Sequence, residues 1–184
     1  MGRAIVEVIT SSHVFVGRCD EMTGSDRRLL DILNSDSPLL VLADCRTRPL
    51  RDSTEPITLA STCFIPKARI VWARPLSAAV KVTKQQLVVN KETHPVLAFA
   101  PPFRVTGSAH ILPGADPTAA LARLVSAFLP ITGAQATLDD DDSITWEADV
   151  ILLNGRNMDV ISAGASELAS SRTGEQNTKK AKAA

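Results

Sequence analysis

Thr62-Cys63-Phe64-Ile65-Pro66-Lys67-Ala68-Arg69-Ile70-Val71-Trp72 and Val150-Ile151-Leu152-Leu153-Asn154-Gly155-Arg156-Asn157-Met158-Asp159-Val160-Ile161 are written to one plan. In each, an apolar run ends on a four-residue break and a second apolar run follows. The first pair of runs is rich in β-branched and aromatic residues, which suit a pleated, half-buried strand. Pro66 cannot donate to a central ladder, and Asn154-Gly155 is a favoured tight-turn pair. Each stretch therefore reads as two strands joined by a sharp break.

Working outward, the same order of segments precedes both stretches. The first copy opens with Ile5-Val6-Glu7-Val8-Ile9 and Val14-Phe15-Val16, a hairpin whose second strand carries Gly17 as a bulge or close approach. A Leu-rich helical segment follows, then the buried-strand run Leu39-Leu40-Val41-Leu42-Ala43 and a polar loop. The second copy offers Val105-Thr106-Gly107, another Leu-rich helix, Phe128-Leu129-Pro130-Ile131-Thr132 and its own polar loop. Spacings agree to within one residue: Gly17 to Ser25 against Gly107 to Asp116, and Ser25 to Leu39 against Asp116 to Ile131. Two such units point to a paired scaffold, since a solenoid needs at least three repeats. The chain divides accordingly into residues 1–75, a connector 76–98, residues 99–162 and a tail 163–184.

The helices have local start and stop signals. Ser25 is placed to cap a helix with apolar Leu29, Leu30, Ile32 and Leu33, stopped by Asn34 and Pro38. Asp116-Pro117 is a stronger start, with Asp as cap and Pro in the first helical position. Leu121, Leu124, Val125 and Phe128 recur at helical spacing and give one apolar face, which Pro130 ends. In the connector, Val80, Val82, Leu87, Val88 and Val89 supply material for one or two further strands, with a break at His94-Pro95. Residues 172–184 contain no large apolar side chain and are expected to be disordered.

Composition narrows the functions that this scaffold can serve. Of 184 residues, 45% are hydrophobic, enough for globular cores, but only 4% are aromatic and none is Tyr. Surfaces that stack bases need aromatic platforms, so a single-stranded nucleic-acid groove of that kind is disfavoured. Residues 99–162 hold 3 basic against 8 acidic side chains, the wrong sign for non-specific phosphate binding. Neither a signal-peptide pattern nor a membrane-length apolar run occurs, and the expected location is the cytoplasm. Cys19, Cys45 and Cys63 are odd in number and lack zinc spacing, which fits buried thiols in a reducing compartment.

No arrangement of residues carries catalysis. His13, His94 and His110 stand far apart, and Ser11-Ser12-His13 lacks the glycines of a nucleophile elbow. Asp139-Asp140-Asp141-Asp142 lacks the alternating ligands, Gly and distal Glu of a calcium loop. Gly107, Gly114 and Gly133 each sit alone, so no phosphate loop is formed. Neither a catalytic residue, a metal site nor a cofactor is expected. Arg46, Arg48 and Arg51 in the first copy and Asp139, Asp140, Asp141 and Asp142 in the second lie in corresponding loops. Opposite charge on equivalent loops favours contact between a first half and a second half, within one chain or between chains.

Each copy resembles the Sm-like small β-barrel family, through the early strand with a Val-Gly pair, the strand ending Leu42-Ala43-Asp44-Cys45, and the short final strand after a tight break. The whole chain is also similar to a bacterial family with an Arg-Leu…Leu-Asn element, here Arg28-Leu29-Leu30-Asp31-Ile32-Leu33-Asn34, to which no activity is attached. The resemblance implies a mainly β fold with short helices (α+β), as two tandem small Sm-like β-barrels with one helix each. It places Lys67, Arg69, Arg156 and Asn157 where that family carries an Arg-Gly-type signature, and so names them as RNA-contacting candidates. Two departures stand against that role: the helix lies between the second and third strands, and the family's Asp and Asn base-pocket pair is not recognisable. The leading expectation is a non-enzymatic binding or assembly module with a protein partner or a second copy of itself. An RNA-associated protein is the alternative, and an enzyme with a site between the halves comes third. No membrane partner is expected.

Overall fold

The computed structural model describes residues 4–22, 27–51, 56–59, 61–76 and 91–164, with the backbone alone for Leu124. In the first half the strands are β1 (Ile5–Thr10), β2 (His13–Arg18), β3 (Leu39–Pro49), β4 (Ile57–Thr58), β5 (Thr62–Pro66) and β6 (Ile70–Pro75), with helix α1 (Leu29–Leu33) between β2 and β3. The second half has β7 (Glu92–Ala100), β8 (Phe103–Ile111), helix α2 (Pro117–Leu124), β9 (Phe128–Leu138), β10 (Asp141–Asn154) and β11 (Val160–Ala163). Short 3₁₀ turns fill the two breaks, Lys67–Arg69 and Gly155–Asn157. Strand β7 opens inside the stretch read as a connector, and His94-Pro95 runs through it as strand. The Ser25 cap, the connector valines and Leu87, and residues 165–184 of the tail lie outside the described residues.

The expected pair of separate small β-barrels is not what forms. The eleven strands of the described residues belong to one open antiparallel sheet, ordered β11-β7-β8-β9-β10-β6-β1-β2-β3-β4, with β5 also on β3. The reason lies in β10, which runs for 14 residues. One edge of it follows β9 over nearly its whole length, while near its end the other edge pairs with β6, Leu152 facing Ala73 and Leu153 facing Trp72. That seam carries the ladder from one half into the other.

Within the sheet, pairing in the second half follows that in the first. Val6 faces Gly17 and Val96 faces Gly107. Val16 faces Arg46 and Thr106 faces Gln135. Leu40 faces Ile65 and Leu129 faces Leu153. Ala73 faces Val8 and Ile161 faces Ala98. Even the irregularities correspond: the register shifts next to Gly17 and next to Gly107, opposite a residue of positive φ, Asp44 (52°) or Gly133 (53°). Both glycines answer to close approach, since an added Cβ would lie 3.1 Å from Ala43 O at Gly17 and 2.9 Å from Thr132 O at Gly107.

Two apolar clusters cover the sheet, and both cross the seam. One joins Ile9, Val14, Leu50, Val71 and Trp72 of the first half to the second half's Phe103, Leu129, Trp146 and Leu153. At its centre Trp72, Phe103 and Trp146 meet edge to face, with centroids 5.5–5.9 Å apart, the arrangement that aromatic quadrupoles favour. The other cluster gathers α1, β1 and β3 and takes in Phe128 and Leu152 from the second half. Strands β1 and β6 are buried on both faces, which is why their sequences are nearly continuous apolar runs rather than alternating ones.

Candidate functional site

The two breaks that organise the sequence come together in space. Asn154, at the end of β10, donates from Nδ2 to Lys67 O (3.2 Å) and Ile70 O (2.8 Å), while its Oδ1 accepts from Arg156 N (3.2 Å). Asn157 donates to Ala68 O (3.1 Å) and again to Ile70 O (2.7 Å). Amides of the second half thus bond carbonyls at the first 3₁₀ turn and at the start of β6, adding to the bond that Lys67 O already accepts from Ile70 N. On the other side of the seam, Asn34 Nδ2 donates to Phe128 O (3.0 Å) and Phe128 N donates to Asn34 Oδ1 (2.8 Å). One side chain thus mimics a strand neighbour for the first residue of β9.

Of the RNA-contacting candidates, the seam absorbs two. Lys67 is buried, and its ammonium donates to Ile32 O (2.5 Å), Ser35 O (3.1 Å) and Ser35 Oγ (3.0 Å), so each of its three hydrogens has an acceptor inside the chain. Burial pushes this lysine below its ordinary pKa. Asn157 is committed to the backbone as described. Arg156 is exposed and donates from Nε to Ser126 O (2.9 Å), and Arg69 is exposed at the end of its turn.

The charged loops meet inside one chain. Arg51 makes a bidentate pair with Asp140, at 2.8 and 3.0 Å, between half-exposed side chains. Asp142 is taken by Arg104 of its own half (2.9 Å). Asp141 accepts from Ser143 Oγ (2.6 Å) and Ser143 N (3.0 Å), and these bonds hold its carboxyl below the usual range. Asp139 enters only through its backbone N–H, which donates to Pro102 O (3.0 Å). Arg46 lies exposed on β3 between Val16 and Thr58, and Arg48 donates to Pro49 O (3.4 Å). The structure brings Arg51 and Asp140 together and distributes the rest.

Among the described residues the surface carries several hollows. One, about 950 Å³, runs beside Arg74, Thr106, Gln135, Glu147 and Asp149, and at its wall Arg74 is fixed by Glu7 (2.6 Å) and Glu147 O (2.8 Å). A second, about 400 Å³, lies over the seam between Asn34, Lys67, Ser126 and Arg156. A third, about 520 Å³, flanks β5 and is lined by Phe15, Leu59, Cys63, Phe64 and Arg69. Burial raises the thiols of Cys19 and Cys45, the latter to about 12 beside Cys63, the opposite of what a nucleophilic cysteine needs. Among the described residues no cluster of His, Cys, Asp and Glu is arranged to hold a metal ion, and no helix is long and apolar enough to cross a membrane.

Sequence reasoning passed over Asn34 and Asn154, which were read only as a helix stop and a turn. It also passed over the outer strands. Phe64 on β5 is 64% exposed and Val160 on β11 is 54% exposed, and neither strand contains a charged residue. The signal was present as uncharged apolar runs, but a run buried by a neighbour and one left at an edge read alike. Comparison with family models, curated proteins and solved structures finds no match for this chain.

Proposed function

We propose that this chain is a non-enzymatic binding or assembly module, built by duplication of one β-β-α-β-β-β unit, that takes up extended strands along its two outer sheet edges. The equal registers of the two halves support the duplication. The observation that carries the function is the state of the edges. Open edges are normally blunted with charge, proline or a covering segment because their free N–H and C=O groups recruit other strands. Here β5, which shares the outer side of β3 with the two-residue β4, carries a proline only at its last position, Pro66, and both β5 and β11 are uncharged and present Phe64 and Val160 to solvent. Strand addition takes affinity from the backbone and specificity from alternate side chains, and both are on offer.

The test is a photo-crosslinking amino acid placed at position 64, at 160 and, as control, at the exposed Thr106 in the hollow beside Arg74. In intact cells the two edge positions should give adducts of defined mass and the control none. Edge positions that give no more adduct than the control would sink the reading. Adducts that carry nucleic acid would favour the RNA-associated alternative instead.

A further inference from the structure

The seam between the halves is a contact between unlike edges, β10 of the second half against β6 of the first. By the shared register, β5 stands in the first half where β10 stands in the second, and β11 stands where β6 stands. The two edges that build the seam therefore recur, unpaired within the described residues, at the ends of the same chain. We infer that the partner taken up by these edges is a second copy of this chain, with β5 of one molecule pairing antiparallel to β11 of the next and so repeating the β10–β6 seam. This rests on the edge-binding reading above and names its occupant.

The register is fixed by correspondence. Leu152 facing Ala73 becomes Phe64 facing Ile161, and Leu153 facing Trp72 becomes Ile65 facing Val160. Exposure follows the same map. Leu152 and Trp72 are 5% and 0% exposed in the seam, while their counterparts Phe64 and Val160 are 64% and 54% exposed. Polar groups agree at one of the two seam amides only, because the counterpart of Asn154 is Pro66, which carries no donor. Arg69 takes the place of Asn157, whose amide reaches Ile70 O in the seam. In the repeated contact it would reach the Met158 carbonyl, one residue from the exposed Asp159 carboxylate. The helices give an independent sign. Helix α1 is roofed across the seam by the start of β9 and buries Leu29, Ile32 and Leu33. Helix α2 buries Leu121 but leaves Val125, just after it, 36% exposed, and in the repeated contact the start of β3 in the neighbouring copy would lie beside this helix. Such a contact is heterologous and continues from copy to copy, into a ring if the rotation closes and a filament if it does not.

The experiment is light scattering on the purified full chain and on Phe64→Asp and Val160→Asp, each checked for an unchanged circular dichroism spectrum, with Phe64→Lys and Val160→Lys in reserve. Wild type should show a mass of several chains. Each variant alone should fall to one chain, because its surviving edge has no intact complement. Mixing the two should restore a dimer and nothing larger, since β11 of the Phe64 variant can still take β5 of the Val160 variant. Wild type at the mass of one chain overturns the inference, as do variants that stay assembled. A loss confined to one variant means that one edge pairs with itself, and a mixture that stays monomeric means that the edges do not pair with each other; both overturn it too. Crosslinks in cells to other proteins, alongside a monomeric pure chain, would remove self-pairing and leave the edge-binding reading intact.

Discussion

Helices α1 and α2 occupy corresponding places in the two halves and are held by opposite means. Helix α2 has the better local design: Asp116 accepts from Thr118 N (3.3 Å) and Ala119 N (3.0 Å), and Pro117 stands in the first helical turn. Helix α1 has five residues, a start fixed by Arg28 N donating to Asp31 (3.1 Å), and little else of its own. Yet α1 is the better buried. Lys67 ties down its last carbonyls, Asn34 stitches its end to β9, and Phe128 and Leu152 join its core. Short helices are marginal alone, so tertiary cover decides. Where cover is complete, local signals are spare; where it is missing, the cap has to serve.

Substitutions that separate these two means should rank accordingly. Leu152→Ala removes a buried side chain from the cluster that holds α1 and should lower stability by about 2–5 kcal/mol in chemical unfolding. A small loss would mean that α1 does not depend on the second half. Asn34→Ala leaves Phe128 N and O without their partner and should cost roughly 1–3 kcal/mol. Hydrogen exchange at the Phe128 amide should rise in the same variant, and an unmoved amide would break the stitch. Asp116→Ala deletes the α2 cap, with an expected loss of about 0.5–2 kcal/mol; a melting curve that coincides with wild type would show that α2 is held by something else. The smallest effect belongs to Arg51→Ala, since a half-exposed pair contributes at most about 1 kcal/mol. Whatever it costs should vanish in high salt, and a salt-independent loss would mean that Arg51 acts through packing instead.

The sequence made some of this legible and hid the rest for identifiable reasons. The α2 cap and the turn at the aspartate run are local, written in residues a few positions apart, and Gly17 marked a close approach without naming Ala43 as the neighbour; Gly107 carried no such reading. The opposite charges of Arg51 and Asp140 could be seen without knowing that they touch. The sheet's continuity could not, because it depends on which edge of β10 is left over after β9 has taken the other. Leu152-Leu153 looks the same in a closed barrel as in an open sheet. Phe128 was read into the apolar face of α2, whereas it begins β9, because the groups that fix it as strand belong to Asn34. Lys67 shows the same limit. A lysine at a tight break signals a surface cation until two carbonyls and a hydroxyl are found around its ammonium.

Strand β10 has a consequence for how the protein comes into being. A ribosome releases α1 and β1 early, but Phe128 and Leu152, which complete their cluster, emerge late. The stitch from Asn34 to Phe128 spans 94 positions. Until β10 has left the exit tunnel, the first half is a sheet with an open flank and an uncovered helix, and contacts of such long range form slowly. From the emergence of β6 until β10 follows it, that flank of the first half stays open, so a strand made late decides whether the early ones close correctly.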